Sequence, residues 1–450
     1  MRRAVALALA AVALGGATAQ AGLGPVELVD RHGQPFATLW NDEVRYKEDP
    51  CDRYFAFVIR AAVKDVLGSE VQAGLTVRTS LDLRVQRAAE KALLTRLPEG
   101  TPDENGVLQP QGAIVVLDPR TGDVLALIGG RCQDSFNRAV AAFRQPGSGL
   151  KPFIYAAALD SGMTAASFVY DGEIALPLPG GKVWQPQNAD GRYHGWVSLR
   201  YALVHSLNTA SIRVLAQVGV DRVLGLLSSL GFSRLGAHDR HLGLSLGAVR
   251  DGVAPMEMAR AYSVLASGGY LPEVRTVLSI TDRDGELLYE APLRRQKVMD
   301  PVTAYIVTSM LQEVLTDGTA AGHVHVDIPM AGKTGTSEDD ADAWFVGYTP
   351  ALAAAVWVGF DRRQPLPLGD LPYASLLAVH AWGDFMERLR PTPRSFDGPR
   401  GVSTVRIDTR TGLRVPARCN VPASEVRTEF FRKGTEPAAI TPRCEDAASS

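Results

Sequence analysis

Three short polar motifs in the 450-residue chain place hydroxyls, amines and an amide at spacings that would let them react together. The first is Ser148-Gly-Leu-Lys151, inside Arg144-Gln-Pro-Gly-Ser-Gly-Leu-Lys-Pro-Phe153. A serine hydroxyl is a poor nucleophile until a base takes its proton. Lysine can be that base only with a lowered pKa, and a helix N-terminus or a neighbouring cation pushes it that way. Pro146 and Gly147 break the preceding chain, and Pro152 fits only a helix's first turn. Ser148 is therefore placed at a helix start, with Lys151 one turn on and on the same face. Alone, this spacing is weak, because an N-capping serine and a surface lysine would look the same.

The second motif is Ser206-Leu-Asn208. A second hydroxyl can relay a proton between a lysine and a leaving group, and an asparagine amide can hold both a carbonyl and a lysine. The third is Lys333-Thr-Gly-Thr336. Lys333 offers a positive charge, Thr334 and Thr336 offer hydroxyls for a carboxylate, and Gly335 permits close approach of a substrate backbone. A phosphate loop at Gly332-Lys333-Thr334 would need another glycine five residues before Gly332; position 327 is Asp. The set of three, in this order, carries far more information than any one of them.

The elements that position these motifs follow from periodicity. Helical spacing predicts helices at Tyr54–Val66, with Phe55, Phe57, Val58, Ala61, Ala62 and Val66 on one side, and at Tyr201–Leu215 and Ala254–Ala266. Leu75–Thr79 alternates as a strand, and Thr79-Ser-Leu-Asp82 fits a capping box that opens a helix. Gly112–Leu117 and Asp123–Ile128 predict one sheet hairpin, Ala343–Tyr348 and Leu352–Phe360 a second. More than two hundred residues of helix-rich chain separate the two hairpins, so early and late strands should complete one shared sheet. Residues 22–55 read as polar and irregular, and after about 390 Pro and Arg rise and the pattern fades.

On these residues the chain resembles the transpeptidase half of class A penicillin-binding proteins. The matching stretches include Gly74-Leu-Thr-Val-Arg-Thr-Ser-Leu-Asp82, Leu117-Asp-Pro-Arg-Thr-Gly-Asp-Val-Leu125 and Phe136-Asn-Arg-Ala139 leading into Arg144-Gln-Pro-Gly-Ser148. Gly332-Lys-Thr-Gly-Thr-Ser337 leads into Asp342-Ala-Trp-Phe-Val-Gly347. The match runs from roughly 50 to 390. The resemblance implies an α/β (α+β) fold of the β-lactamase/transpeptidase type, an antiparallel sheet between helical layers, with a small N-terminal linker piece and an irregular C-terminal tail. It implies Ser148 as the acylated nucleophile, Lys151 as its base, Ser206 and Asn208 as the second-motif pair, and Lys333, Thr334, Gly335 and Thr336 as the carboxylate-binding strand. The backbone N–H groups of Ser148 and Thr336 would form the oxyanion hole.

The expected division is residues 1–21 as a signal peptide or membrane anchor, 22–75 as a linker region, 76–390 as the transpeptidase domain and 391–450 as a tail. Class A proteins carry a glycosyltransferase domain before this region; residues 22–75 are too short for one and hold no matching catalytic glutamate motif, so a separate glycosyltransferase is an expected partner. Met1-Arg2-Arg3 is a basic start, Ala4–Gly16 is apolar, and Ala19-Gln20-Ala21 has the form of a signal-peptidase site. The apolar run is shorter than the ~20 residues of a spanning helix, and export to the cell envelope or periplasm is expected, with membrane contact only through an uncleaved N-terminus. Export makes the four cysteines candidates for disulfides. Cys419 and Cys444 could staple the Pro-rich tail, and Cys51 and Cys132 are the other two; spacing alone does not show that they meet.

Composition narrows the classes. Lys and Arg total 47 against 49 Asp and Glu, a net charge of −2, so no basic field points to nucleic acid. The implied chemistry needs no metal or organic cofactor. His323-Val-His325-Val-Asp327 could present ligands to a metal, but no third ligand cluster is visible, and a polar strand or loop is the preferred reading. Trp184, Tyr193, His194 and Trp196 form an aromatic patch that either packs or walls a cleft; Trp344, Trp357 and Phe360 read as core. The expected substrates are peptidoglycan stem peptides ending in D-Ala-D-Ala, with β-lactams acylating the same serine. With water as acceptor the site would be a D,D-carboxypeptidase, and with rapid deacylation a β-lactamase. The rival outside enzymes is a low-turnover β-lactam- or cell-wall-binding module that docks a glycosyltransferase.

Overall fold

The computed structural model describes residues 25–40, 43–46, 49–67 and 74–447. The expected export segment, 1–21, lies outside the described residues. Among the described residues, no helix is long and apolar enough to cross a membrane.

Five antiparallel strands form the central sheet, in the order Ala331–Thr336, Asp342–Tyr348, Ala353–Gly359, Gln111–Leu117, Val124–Ile128. Every residue of Gln111–Leu117, Asp342–Tyr348 and Ala353–Gly359 is buried, which requires cover on both faces. Side chains alternate between the faces of a strand. Phe345 therefore meets Trp382 of helix Ser375–Leu389, ring centroids 5.2 Å apart, while Tyr348 meets Tyr262 of helix Pro255–Ala266 at 6.2 Å. A Cβ at Gly347 would lie 2.4 Å from the Trp382 ring, so this strand needs glycine for the helix to close on it. The two expected hairpins thus share one sheet between helical layers. Trp344 and Trp357 are fully buried.

The front of the chain is more regular than its composition suggests. Val26–Val29, Pro35–Trp40 and Glu43–Tyr46 join Leu75–Thr79, Val277–Thr281 and Leu287–Glu290 in a six-stranded sheet. Val26–Val29 runs parallel to Leu75–Thr79 and antiparallel to Pro35–Trp40. Strands this short show little alternation, and their partners are distant in sequence. Helix Asp52–Leu67 buries Phe55, Ile59 and Val63, whereas Phe57, expected on the same side, is exposed. Val58, Ala62 and Val66 instead line an apolar groove of about 370 Å³ against Thr276 and Val277, away from all three motifs. The next helix starts at Leu83, not within the expected box. Thr79 and Ser80 donate their hydroxyls to Val29 and Val124 carbonyls, so Asp82 is the cap, accepting from the N–H groups of Arg84 and Val85.

The segment after 390 also contains regular structure: Val402–Asp408 and Val426–Arg432 pair antiparallel. Arg200 clamps this pair to the body, donating to both Glu429 carboxylate oxygens at 2.7 and 2.5 Å, with both residues buried. Arg427 grips Glu313 of helix Pro301–Thr316 in the same bidentate manner, at 2.6 Å twice. All four cysteines are paired, Cys51 with Cys132 and Cys419 with Cys444.

Candidate active site

Ser148 lies in a tight 3-10 turn, Gly147–Leu150, which feeds helix Lys151–Asp160 with Pro152 in its first turn. The turn presses backbone-to-backbone against the strand Ala331–Thr336. A Cβ on Gly147, whose φ is +53°, would sit 2.2 Å from the Thr336 carbonyl oxygen, and one on Gly335 would sit 2.4 Å from the Pro146 carbonyl oxygen. Two side chains hold the turn there: Trp344 Nε1 donates to the Gln145 carbonyl at 2.9 Å and Tyr262 Oη to the Gly149 carbonyl at 2.7 Å. The first and third motifs are thus neighbours although 181 residues of chain lie between them.

The second motif interrupts the helix that periodicity predicts over Tyr201–Leu215. Helices Leu199–Val204 and Asn208–Val218 are separate, and Ser206 between them has φ +57°, a left-handed conformation that costs a non-glycine residue about 1 kcal/mol or more. The break turns Ser206 and Asn208 toward Lys151. Lys151 is fully buried, and its Nζ donates to the Ser206 carbonyl at 2.6 Å and to Asn208 Oδ1 at 2.8 Å. It also reaches Ser206 Oγ at 3.3 Å. Burial first, and then the charge of Lys333, hold the Lys151 pKa well below the ordinary lysine value, while Asp171 pulls the other way. A neutral amine has two N–H bonds and one lone pair. The two short bonds to Ser206 and Asn208 occupy both N–H bonds and leave the lone pair to accept a proton.

Lys333 is also fully buried, and it reaches the same hydroxyl: its Nζ donates to Ser206 Oγ at 2.8 Å and to the Thr334 carbonyl at 3.1 Å. Burial lowers its pKa to about 7. Expected as a fixed charge on a substrate-binding strand, Lys333 stands behind Ser206, and Thr334 and Thr336 are the members of that strand that line the cleft. Thr334 Oγ1 lies 2.7 Å from Thr319 Oγ1. The cleft, about 550 Å³, brings together Ser148, Ser206, Asn208, Thr334 and Thr336, walled by Trp184, His194, Tyr201 and Tyr373. Of the aromatic patch, Trp184 and His194 therefore face the cleft, whereas Trp196 and Tyr193 are exposed.

The motifs did not point to the residues that support them. Asn208 is gripped by a loop twenty residues earlier, its backbone N–H on Asn188 Oδ1 and its Nδ2 on the Gln187 carbonyl, both at 2.7 Å. Asp342, its carboxyl pKa raised by burial, receives Trp357 Nε1 at 2.9 Å and Ser337 Oγ at 3.0 Å, and so fixes the chain just past Thr336. Arg138, in the quoted Phe136–Ala139 stretch, is a buried structural ion that pairs with Asp134 and Asp361. His323 and His325 lie in a loop; His323 Nδ1 meets His380 Nε2 at 3.1 Å.

Residues 112–362, more than half of the chain, match the penicillin binding protein transpeptidase domain, and residues 398–443 match the penicillin-binding protein 1A C-terminal domain. The chain is 44% identical over 286 residues to penicillin-binding protein 1A of Neisseria meningitidis, covering 61% of this chain and 35% of that protein. It thus spans about a third of the length of the curated relatives it matches. Among solved structures it is similar to penicillin-binding protein 1A from Haemophilus influenzae, with a TM-score of 0.76 and 25% identity, covering 86% of this chain and 77% of that one. It is similar also to the PonA1 protein from Mycobacterium tuberculosis in complex with penicillin V, with a TM-score of 0.62 and 28% identity, covering 72% and 88%.

Proposed function

The chain belongs to the penicillin-binding protein transpeptidase family, and we propose that it cross-links peptidoglycan stem peptides through an acyl-serine intermediate. The observation that carries this reading is one hydroxyl, Ser206 Oγ, held between two buried lysine nitrogens at 3.3 and 2.8 Å on the cleft that Ser148 shares. In this reading Ser148 Oγ gives its proton to the Lys151 lone pair and bonds to the carbonyl carbon of a penultimate D-alanine. The backbone N–H groups of Ser148 and Thr336 receive the developing oxyanion. The C–N bond to the terminal D-alanine breaks as its nitrogen takes a proton delivered from Lys151 through Ser206. An amine of a second stem then attacks the acyl carbon and loses a proton to the same relay, and Ser148 leaves with its hydroxyl restored. The Thr334 and Thr336 hydroxyls hold the terminal carboxylate, with the Lys333 charge behind them, while the missing side chain of Gly335 makes room for the Ser148 turn rather than for substrate. A β-lactam would be opened by the same attack, and the penicillin V complex of a similar protein supports that step. Two disulfides support a working place outside the reducing cytoplasm.

The test has two parts. A fluorescent penicillin should label the wild type and fail to label Ser148→Ala; surviving label that maps to another serine would refute the assignment. Stem-peptide substrates then separate the acceptors. Cross-linked dimers are expected, trimmed monomers alone would mean a carboxypeptidase, and rapid loss of the penicilloyl group would mean a β-lactamase.

A further inference from the structure

We propose that Asp171, at the end of strand Phe168–Asp171, is the positioning residue that fixes the polarity of the Ser206–Asn208 turn, acting through Asn188. Asp171 is fully buried and lies outside all three motifs. Its Oδ1 accepts from Thr209 Oγ1 at 2.5 Å; its Oδ2 accepts from Asn188 Nδ2 at 2.8 Å and from the His194 N–H at 2.9 Å. An ionised carboxylate only accepts, whereas an amide has a donating and an accepting end. Asp171 therefore decides which way Asn188 faces. The Asn188 amino group must point at the carboxylate, where it also reaches the Arg192 carbonyl at 2.7 Å. Its carbonyl must then point at the start of helix Asn208–Val218, where Oδ1 accepts from the N–H of Asn208 at 2.7 Å and of Thr209 at 3.4 Å. Those N–H groups have no partner within their own helix, and Leu207 ahead of them has no side chain able to cap. Asn188 is their cap, supplied from another part of the chain.

The consequence reaches the catalytic amine. With its N–H on Asn188 and its Nδ2 on the Gln187 carbonyl, Asn208 has only Oδ1 left to present, and Oδ1 meets Lys151 Nζ at 2.8 Å. Asp171 also acts on Lys151 through space: the charged groups bearing on that amine are Lys333 from strand Ala331–Thr336 and Asp171, and the turn contributes only neutral Ser206 and Asn208.

This inference rests on the acyl-serine reading, so its experiment has one arm that does not need acylation. Asp171→Asn keeps size and removes the acceptor-only polarity. Acylation by a fluorescent penicillin should fall by about tenfold or more, the scale on which a misplaced network member acts. The double variant Asp171→Asn with Asn188→Asp returns a carboxylate to the pair and should recover most of the loss, which a mere packing role would not allow. In the second arm, the Lys151 titration followed by NMR of its labelled Cε should move to lower pH in Asp171→Asn, because a nearby negative charge has been lost. Wild-type acylation in Asp171→Asn, no recovery in the double variant, or an unmoved Lys151 midpoint would each overturn the proposal. If Asp171→Asn does not fold, Asn188→Ala, which cuts the link and leaves the carboxylate, should show the same loss, and a wild-type rate there would overturn it equally. Absence of label on the wild type would count against the acyl-serine reading, and the Lys151 midpoint would still decide the role of Asp171.

Discussion

Lys151 and Lys333 approach one hydroxyl from two sides, and both are buried, yet the proposed chemistry needs them in opposite charge states. Burial and then its positive neighbour favour the neutral form of Lys151 and hold its pKa well below the ordinary lysine value, the direction that the proposed base needs. Lys333 has a pKa of about 7, lowered by burial, so it is charged below that pH and loses its proton as pH rises through it. The second-order rate of acylation by a β-lactam with a free carboxylate should therefore rise with pH as Lys151 becomes neutral and fall above about 7 as Lys333 loses its charge. An ester of the same β-lactam should lose most of the falling limb, since it has no carboxylate to attract. Lys151→Ala should slow both compounds by about 10²–10⁴, the range of a positioned base. Lys333→Ala should slow the acid more than the ester, and some defect should remain with the ester because Lys333 also holds Ser206 Oγ. Superimposable pH profiles for acid and ester would refute the division of roles. That the two lysines share one site was legible from the motifs and the resemblance they carry, and the structure does bring both to Ser206. Their shared hydroxyl was not, because it depends on one residue, Ser206, in a left-handed conformation that periodicity does not encode.

At the scale of elements, four of the five strands of the central sheet were legible because each is a continuous apolar run with turn residues at its ends, whereas Ala331–Thr336 is polar and was expected as a strand only from the resemblance. The elements that were not legible share one physical cause: their partners are remote. The strands at 26–46 gain their cover from Leu75–Thr79 and, beyond it, Val277–Thr281, and the C-terminal pair gains its anchor from helices Leu199–Val204 and Pro301–Thr316. That anchor carries a measurable consequence. Arg200 sits just ahead of the Ser206 turn and is almost wholly buried, as is Glu429. Removing one member of a buried ion pair leaves the other charge desolvated and unpaired, a loss of about 3–5 kcal/mol. Arg200 keeps the Ser309 carbonyl at 3.0 Å and Glu313 at 3.3 Å, so Glu429→Ala should fall near the lower end of that range in urea denaturation. A loss under about 1 kcal/mol, the value of an exposed pair, would mean that the clamp does not hold the C-terminal strands.

At the scale of the whole molecule, the described front and C-terminal segments are each joined to the body, one by a disulfide and the other by buried ion pairs. Cys51 precedes helix Asp52–Leu67 and bonds Cys132, just beyond the edge strand Val124–Ile128, so the front sheet and the central sheet are linked covalently. Cys419 and Cys444 close a loop that carries the second strand of the C-terminal pair, Val426–Arg432. The candidate staple in the tail was readable from composition, because a segment rich in proline buries little and needs a constraint. The first pair was not, because only the packing of helix against sheet brings its cysteines together. Both crosslinks stabilise chiefly by restricting the unfolded chain, and the effect grows with the logarithm of the loop. The sequence separations are 81 and 25, which by that relation correspond to about 4.5 and 3.5 kcal/mol. Replacing Cys51 and Cys132 with alanine should therefore lower the melting temperature more than replacing Cys419 and Cys444. Ser148, Lys151, Ser206, Asn208 and Lys333 lie outside both loops, so either variant should still be labelled by penicillin well below its melting temperature. Differential scanning calorimetry of the two variants and the wild type decides the order. A tail variant that melts at or below the temperature of the Cys51/Cys132 variant would mean that native docking, rather than loop entropy, sets what each crosslink contributes.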